Sequence, residues 1–296
     1  MMAEPLFKRA AFIGIGLIGS SMARRMAADG LAGELVACAR SQDTLDQAVG
    51  LGVVSQAYDT PAAAVEGADL VVIATPIGSY ASIAKAIGPA LKPGAIVTDV
   101  GSVKQAVVDA VTPYLSDQNP FVPGHPIAGT ENSGPASGFP ELFEGRWTIL
   151  TPTESTNSDA VEKVRTLWEG MGAMVDIMTP SHHDMVLAIT SHLPHLIAYT
   201  IVGTATDLED DLRQEVVKYS ASGFRDFTRI AASDPVMWRD IFLNNREATL
   251  ETLQRFSEDL TALQRAIRRG EGDVLEKLFA RTRKIRRGII DAKQAE

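Results

Sequence analysis

The first residue with catalytic potential is a histidine inside a rigid segment. His125 stands in FVPGHPIAGTE, residues 121–131, which holds two prolines and two glycines. This composition does not suit the interior of a helix or strand, so it predicts an irregular loop held in one shape. A neutral imidazole in such a loop can accept a proton, and we expect His125 to do so if ligands bind beside it. A turn with a surface histidine is the alternative.

Three glycines near the N terminus form the pattern that precedes a dinucleotide site. GIGLIG lies between an apolar run at 10–15, which predicts a strand, and a stretch at 17–28 with helical spacing. In this context Gly14 permits the tight turn, Gly16 lets the backbone approach a pyrophosphate, and Gly19 lets helix and strand pack closely. The N terminus of the helix would face the phosphates. A glycine turn without a nucleotide is the alternative.

The end of the second predicted strand, at residues 34–39, bears on the choice of cofactor. An NAD-preferring site usually has Asp or Glu there to hold the ribose 2′-hydroxyl, but this chain has Arg40 and Ser41. A guanidinium has the charge and the fork geometry to bind a 2′-phosphate, and a hydroxyl adds a hydrogen bond. The pair favours NADP, while an Arg40 that is merely solvated beside the adenine would leave NAD usable.

Strand and helix signals alternate through the first 180 residues. Apolar runs at 70–74 and 95–99 predict strands buried on both faces, and further strands are predicted at 147–150 and 173–178. This alternation predicts an α/β fold, a Rossmann-type doubly wound parallel sheet with ligands at the C-terminal strand ends. His125 follows such an end, so we expect it beside the cofactor. The residues predicted to bind the cofactor are Gly14, Gly16, Leu17, Ile18, Gly19, Arg40, Ser41, Thr75, Pro76 and Ser102.

The alternation of strands stops near residue 180, and the rest of the chain predicts helices only. We therefore expect a dinucleotide-binding domain at 1–180 and a helical dimerisation and substrate domain at 181–296. Long amphipathic helices are predicted at 245–268 and 274–290. Their apolar stripes are wider than a monomer of this size needs, which predicts a homodimer.

Four histidines lie together at the start of the helical part. His192 and His195 are three residues apart and share one helix face near Pro194, which should kink the helix. Such a pair can bind a metal, but no HExxH pattern and no companion Cys/His set accompanies it, so we predict no metal. Two buried, hydrogen-bonded histidines, or two donors to a substrate, are the other interpretations. His182 and His183 are expected at the surface.

One arginine in the helical part has the chemistry to hold an anionic substrate. SASGFRDFTR, residues 220–229, is a turn of small residues that enters a short helix carrying Asp226 and Arg229. The guanidinium of Arg229 can clamp a carboxylate through two hydrogen bonds, or it can pair with Asp226. Asp234 followed by Pro235 predicts the start of the next helix.

Bulk properties limit the classes of function. The chain has 296 residues and a formal net charge of −9, which makes a nucleic-acid-binding role unexpected. The basic residues at 281–287 are expected to form a solvated helix face. Cys38 is the only cysteine, and we see no signal peptide and no apolar run of membrane-spanning length. We therefore expect a cytoplasmic protein with neither a nucleic-acid nor a membrane partner.

Four of these stretches together resemble one family. GSVK, GHPIAGTE, SHLPH and GFRDFTRIAASDPVMWRDIF resemble motifs of the prephenate/arogenate (cyclohexadienyl) dehydrogenases, the TyrA proteins of tyrosine biosynthesis. The resemblance runs from about residue 8 to about residue 268. It implies that hydride passes from ring C4 of a cyclohexadienyl acid to NAD or NADP. The C4 hydroxyl loses its proton and carbon dioxide leaves as the ring becomes aromatic.

The resemblance also implies roles for individual residues. His125 would accept a hydrogen bond from the C4 hydroxyl as a neutral imidazole, and Ser102 would help to orient both groups. Arg229 would bind a substrate carboxylate, and His195 would lie near the substrate side chain. The other positions that match the lining or gate of the family's pocket are His192, Thr130, Glu131 and Asp226.

Some features depart from the family pattern. Many members are glycine-rich before Phe-Arg-Asp, whereas Ala221 and Ser222 precede Gly223 here. Too little chain follows Arg268 for a regulatory ACT domain, and we see no chorismate mutase segment, so tyrosine inhibition would have to be competition at the active site. The alternatives are a β-hydroxyacid-type dehydrogenase, for whose catalytic lysine Lys218 is a poor candidate, and a nucleotide-sensing dimer without catalysis. No residue decides between prephenate and arogenate.

Overall fold

The computed structural model describes residues 4–130, 132–206, 218 and 222–291. Glu131, a predicted pocket residue, lies outside this set. The strands are β1 (Phe7–Ile13), β2 (Ala32–Cys38), β3 (Gln56–Tyr58), β4 (Leu70–Ile73), β5 (Ile96–Asp99), β6 (Phe121–Val122), β7 (Gly124–Pro126), β8 (Trp147–Leu150) and β9 (Met174–Ile177). The α-helices are α1 (Leu17–Ala28), α2 (Gln42–Gly50), α3 (Pro61–Val65), α4 (Tyr80–Ile87), α5 (Gln105–Val111), α6 (Ser158–Gly170), α7 (Pro180–Leu187), α8 (Leu193–Thr206), α9 (Ser222–Thr228), α10 (Pro235–Asn244), α11 (Arg246–Arg269) and α12 (Gly272–Asp291).

The main sheet has six parallel strands in the order β3-β2-β1-β4-β5-β6. The order reverses on either side of β1, whose last residue Ile13 is paired with Cys38 of β2 and Ile73 of β4. Ligands of doubly wound sheets bind in the crevice at such a switch point, outside the carboxyl ends of the strands. The predicted α/β class with a Rossmann-type sheet, followed by helices, is therefore confirmed.

Both faces of this sheet are covered. In β1, Ala10 and Phe12 belong to one buried apolar cluster, and Ala11 and Ile13 belong to a second. Successive side chains of a strand point to opposite faces, so each cluster is the core on one side of the sheet. The continuous apolar runs of the sequence arise from this double burial.

A second sheet of three strands, in the order β7-β8-β9, was not predicted. The strands predicted at 147–150 and 173–178 belong to it, with β8 antiparallel to β7 and parallel to β9, so their placement in the main sheet was wrong. The chain leaves the main sheet at Pro123, which has no N–H for a ladder, and the N–H of Gly124 donates to Asp99 at 3.1 Å. The prediction of an irregular loop at 121–131 was therefore wrong for Phe121–Val122 and Gly124–Pro126, which are strands.

The first helical run of the second half is more apolar than expected. It continues from Pro180 to Ala205 over 26 residues, and its most apolar 18-residue window has a mean hydropathy of 1.5. By length and composition alone this helix could span a membrane, so the expectation that no run reaches that length was wrong. A π-helical turn at Ala188–His192 interrupts it just before Pro194, where the sequence predicts a kink. Only 22% of the most apolar window is buried within the protomer. A helix that leaves so much apolar surface exposed is typical of one that packs against another protein surface.

By internal contacts the chain forms two compact units, Met1–Arg246 and Glu247–Glu296. The first contains both sheets and helices α1 to α10. The second contains α11, apart from its first residue, and α12. Leu250, Leu260 and Ile267 of α11, and Phe279 of α12, are all more than half exposed, as expected for helices that keep an apolar stripe for a partner.

Candidate active site

The turn after β1 has the geometry that a dinucleotide requires. Gly14 has a φ of 96°, and a Cβ there would lie 2.4 Å from the carbonyl oxygen of Ala74. A Cβ at Gly19 would lie 2.6 Å from the carbonyl oxygen of Gly14, so α1 packs directly on the turn. A Cβ at Gly16 would meet no protein atom within 4 Å, and no described side chain caps α1. Open space before uncapped backbone N–H groups fits a pyrophosphate.

Two further strand ends carry residues that the sequence predicts to bind the cofactor. Thr75 and Pro76 follow β4, and the hydroxyl of Ser79 donates to that of Thr75 at 2.8 Å. Arg40 and Ser41 follow β2 and are both exposed. The Ser41 hydroxyl caps α2 by accepting the N–H of Thr44 at 3.4 Å. Within the described residues Arg40 makes no ion pair, so its guanidinium is available to a ligand.

His125 lies in the middle of β7, and its neighbour Gly124 is held on both sides. The N–H of Gly124 donates to Asp99, and its carbonyl oxygen accepts the ammonium of Lys104 at 2.7 Å. Lys104 also pairs with Asp99 at 2.6 Å, and both side chains are fully buried. Asp99 further accepts the N–H of Gly101 and the hydroxyl of Tyr80. A buried charge pair thus sets the backbone position of the catalytic candidate.

The imidazole of His125 contacts a second histidine that the sequence analysis had placed at the surface. The Nδ1 atom of His125 lies 2.8 Å from Nε2 of His183, with the rings edge to face. His183 is fully buried, so that expectation was wrong, whereas His182 is exposed as expected. His183 turns inward because its Nδ1 lies 2.8 Å from a carboxylate oxygen of Asp184. The N–H groups of Lys104 and Gln105 donate to the two oxygens of that carboxylate.

The pKa of His125 lies well below its usual value. Burial is the largest cause, followed by the nearby His183, Lys104 and His192. Burial also lowers the pKa of His183, against the opposing effect of its hydrogen bond to Asp184. Both imidazoles are therefore neutral near pH 7, which is the state a proton acceptor needs.

The other two histidines flank one tryptophan. His195 stacks on Trp238 of α10 with ring centroids 3.7 Å apart, and its Nδ1 donates to the carbonyl oxygen of Ser191 at 2.9 Å. His192 meets the same indole edge to face and lies 3.1 Å from the amide nitrogen of Asn245. Burial lowers the pKa of His192 to about 4. The two histidines share a helix face, as the spacing predicts, and that face packs on α10.

The remaining predicted site residues are placed separately. Arg229 and Asp226 are exposed and form no ion pair with each other, so the alternative of a mutual pair was wrong. Thr130 is exposed and its hydroxyl accepts the N–H of Asn132 at 3.2 Å. Ser102 is half-buried between β5 and α5, two residues before Lys104. Among the described residues no hydrogen bond joins these four side chains to His125.

The sequence analysis missed the inner partners of the site. His183, Asp184, Lys104 and Asp99 were not assigned a role, yet they are the buried groups that surround the ring and backbone of His125. The signals were present in part, since Asp99 ends a strand and Lys104 stands in GSVK. Buried ionisable residues in a cleft are a mark of functional sites, but burial of a particular Lys or His is not readable from one sequence.

The fold and the site together define a dinucleotide-dependent oxidoreductase of the Rossmann class, with helices after the nucleotide-binding sheet. Comparison with known families specifies it further. Residues 22–177 match the family described as "Prephenate dehydrogenase, nucleotide-binding domain", and residues 179–281 match "Prephenate dehydrogenase, dimerization domain". The chain belongs to the prephenate dehydrogenase family.

Individual relatives agree with this assignment. The chain is 41% identical to a cyclohexadienyl dehydrogenase of Zymomonas mobilis over 95% of its own length and 96% of the relative's. The structure of prephenate dehydrogenase from Aquifex aeolicus with hydroxyphenyl propionate and NAD+ superposes with a TM-score of 0.87 at 35% identity, over 96% of this chain and 98% of that one. For Synechocystis arogenate dehydrogenase the TM-score is 0.81 at 30% identity, over 94% and 98% of the two chains.

These matches extend over nearly the whole chain. They favour neither a β-hydroxyacid-type dehydrogenase nor a nucleotide-sensing dimer without catalysis. The protein is an NAD(P)-dependent oxidoreductase of the prephenate/arogenate dehydrogenase type, and it carries out the oxidative decarboxylation that serves tyrosine biosynthesis.

Proposed function

We propose that His125 is the base of this reaction, acting on the substrate's ring hydroxyl through Nε2. The observation that carries the proposal is the contact of its Nδ1 atom with His183, because it leaves only Nε2 for a substrate. The lowered pKa of the buried ring keeps that nitrogen unprotonated near neutral pH. When bound, the nicotinamide accepts the hydride from C4, and His125 draws off the hydroxyl proton as carbon dioxide leaves.

We propose the substrate contacts from the motifs GHPIAGTE, SHLPH and GFRDFTR, which match the family. Arg229 would clamp a carboxylate, and its exposed guanidinium, without a partner among the described residues, supports this role. His195 would face the substrate side chain, and Ser102 would orient the ring hydroxyl. The further residues proposed to line or gate the pocket are His192, Thr130, Glu131 and Asp226.

We propose that the protein prefers NADP to NAD. Arg40 is exposed and unpaired within the described residues at the end of β2, beside the position that the ribose 2′ group takes in this fold. Ser41 adds a hydroxyl at the start of α2. A 2′-phosphate would gain a charge-assisted hydrogen bond from Arg40, whereas a 2′-hydroxyl would not.

We propose a homodimer that uses the helical part of the chain. The match to a dimerization domain at 179–281 supports it, as do the apolar residues exposed on α8, α11 and α12. We propose that residues 1–180 form the dinucleotide-binding domain and that residues 181–296 form the dimerisation and substrate domain. A cytoplasmic location without nucleic-acid or membrane partners is proposed because the relatives are biosynthetic dehydrogenases.

The direct test is a steady-state assay of purified protein with prephenate and arogenate, each with NAD+ and with NADP+. The variant His125→Asn should lower kcat by roughly 10²- to 10⁴-fold, the range of general acid–base effects, while cofactor binding persists. His182→Asn is the matched control, because His182 is an exposed histidine from the same cluster. Unchanged turnover in His125→Asn would remove this residue from the mechanism.

A further inference from the structure

We infer that Asp184 and His183 act as positioning residues that lock the imidazole of His125 in one tautomer, with the proton on Nδ1 and the lone pair on Nε2. The inference deepens the proposed role of His125 and rests on it. It assigns a function to two buried residues that the nicotinamide and the substrate need not touch.

The direction of the hydrogen bonds follows from Asp184, which lies farthest from the substrate side of the series Asp184–His183–His125. The carboxylate of Asp184 receives the backbone N–H of Lys104 on Oδ1 at 2.8 Å and that of Gln105 on Oδ2 at 2.9 Å. Both oxygens are therefore held as acceptors. The Nδ1 atom of His183, 2.8 Å from Oδ1, must be the donor to them.

The position of the proton on His125 then follows. A neutral imidazole that donates through Nδ1 accepts through Nε2. The Nε2 atom of His183 lies 2.8 Å from Nδ1 of His125, so His125 must donate its own Nδ1 proton there. The Nε2 atom of His125 is left as the acceptor. In a free imidazole both tautomers are populated, and only the one with unprotonated Nε2 can take the hydroxyl proton in this orientation.

The arrangement also serves the charged state that catalysis creates. When the ring hydroxyl transfers its proton to Nε2, the electron pair of the O–H bond forms the C4–O double bond, and the hydride leaves C4 with the C–H pair; a bound nicotinamide would be its acceptor. The electron pair of the bond to the leaving carboxylate goes into the ring, the C4–O π pair returns to the oxygen, and this phenolate oxygen can take the proton back from Nε2. His125 becomes an imidazolium that still donates Nδ1–H to His183, and Asp184 offsets its charge through His183.

Other charged and titratable groups, on several elements, lie near the hydrogen-bonded series Asp184–His183–His125. Lys104 lies before α5, His192 lies in the π-helical turn, and both disfavour a proton on His125. Asp99 at the end of β5 and Asp184 in α7 favour a proton on His183, and Lys104 opposes it. The nearby cations and carboxylates act in opposite directions, so their summed charge does not decide which ring nitrogen of His125 carries the proton. The hydrogen-bond geometry decides it.

The test combines a spectroscopic and a kinetic measurement on the full-length protein. With ¹⁵N-labelled histidine side chains, nitrogen NMR should show Nδ1 of His125 protonated and Nε2 unprotonated at pH 7. His183→Leu should populate the other tautomer and lower kcat by roughly 10- to 100-fold, the usual effect of removing an outer partner. His183→Gln can still offer an oxygen to Nδ1 and should recover at least half of that loss on a logarithmic scale.

The controls separate this proposal from its alternatives. His182→Leu and His182→Gln make the same changes at the adjacent, exposed histidine and should leave both readouts unchanged. A wild-type His125 protonated on Nε2 would overturn the proposal whether or not the variants fold. So would folded His183→Leu and His183→Gln proteins that both keep wild-type kcat. If the expected tautomer is observed but His125→Asn keeps wild-type turnover, the proposed role of His125 as the base fails while the tautomer assignment stands.

Discussion

The buried ammonium of Lys104 donates to the carbonyl oxygen of Gly124 at 2.7 Å, one residue before His125. The same ammonium pairs with Asp99, which in turn accepts the N–H of Gly124. Gly124 is therefore bound at both its backbone groups by one ion pair. A Cβ at this position would lie 3.0 Å from the carbonyl oxygen of Asp99, so a larger residue would require that carbonyl to move by a few tenths of an ångström. The charge of Lys104 has a second effect, since it disfavours a proton on His125.

We predict that Lys104→Met destabilises the protein by about 3 to 5 kcal/mol, because it leaves the carboxylate of Asp99 buried without its counter-ion. Urea unfolding at pH 7 measures the change. The variant Lys92→Met is the control, since Lys92 pairs with Asp69 at a half-exposed position where an ion pair contributes at most about 1 kcal/mol. Equal losses of unfolding free energy in the two variants would contradict the larger contribution assigned to the buried ion pair.

The stability of the protein should fall as the pH falls from 6.5 toward 4. Burial lowers the pKa of His192 from 6.5 to about 4. Between these values the unfolded chain binds this proton and the folded chain does not, so stability present above pH 6.5 is lost on acidification. The slope from one such histidine reaches about 1.4 kcal/mol per pH unit. Unfolding of the wild type and of His192→Asn at several pH values measures it, and the variant should show a smaller slope.

The control for this measurement is His182→Asn, which makes the same substitution at an exposed histidine. An identical pH dependence in His192→Asn and the wild type would show that this ring does not contribute.

Local patterns predicted the nucleotide half better than the catalytic surroundings. The glycine turn and the strands β1, β4 and β5 follow from short-range rules, since glycine spacing and apolar runs have few alternatives. The second sheet depends on where the chain turns after Pro123, which is a matter of tertiary pairing. Burial of His183 depends on Asp184 reaching the backbone of Gln105, a contact across 79 residues. No local pattern encodes such contacts, and the four histidines looked alike in the sequence.

The two glycines of the nucleotide turn should respond differently to alanine. Gly16 has a φ of −75° and an open space where a Cβ would point, so Gly16→Ala should fold with little loss of stability and bind NAD+ and NADP+ at least 10-fold more weakly. Gly14→Ala introduces a Cβ 2.4 Å from a carbonyl oxygen at a positive φ, and should destabilise the fold itself. Thermal unfolding and cofactor titration of both variants separate the effects. Loss of stability in Gly16→Ala equal to that in Gly14→Ala would refute the assignment of the open space to a ligand.

Arg40→Ala should weaken NADP+ selectively. The lost charge-assisted hydrogen bond to a 2′-phosphate corresponds to about 1.5 to 3 kcal/mol, or roughly a 10- to 150-fold rise in the KM for NADP+. NAD+ serves as the internal control, because its 2′-hydroxyl offers no phosphate to Arg40 and its KM should change less than about 3-fold. If both cofactors weaken equally, the residue contributes to general binding and the proposed NADP preference is wrong.

Arg229→Ala should act on the substrate and leave the cofactor unaffected. Removing a charge-assisted hydrogen bond to a substrate carboxylate should raise the substrate KM by the equivalent of ~2–3 kcal/mol, with a smaller change in kcat, because the carboxylate is held in both ground and transition states. Arg239→Ala is the matched control, since Arg239 is an exposed arginine of the neighbouring helix α10 that pairs with Asp240. The KM values for substrate and cofactor, measured for both variants, decide the matter. A substrate KM that stays at the wild-type value in Arg229→Ala would reject the clamp, and an equal rise in Arg239→Ala would show only a general effect of surface charge on anion capture.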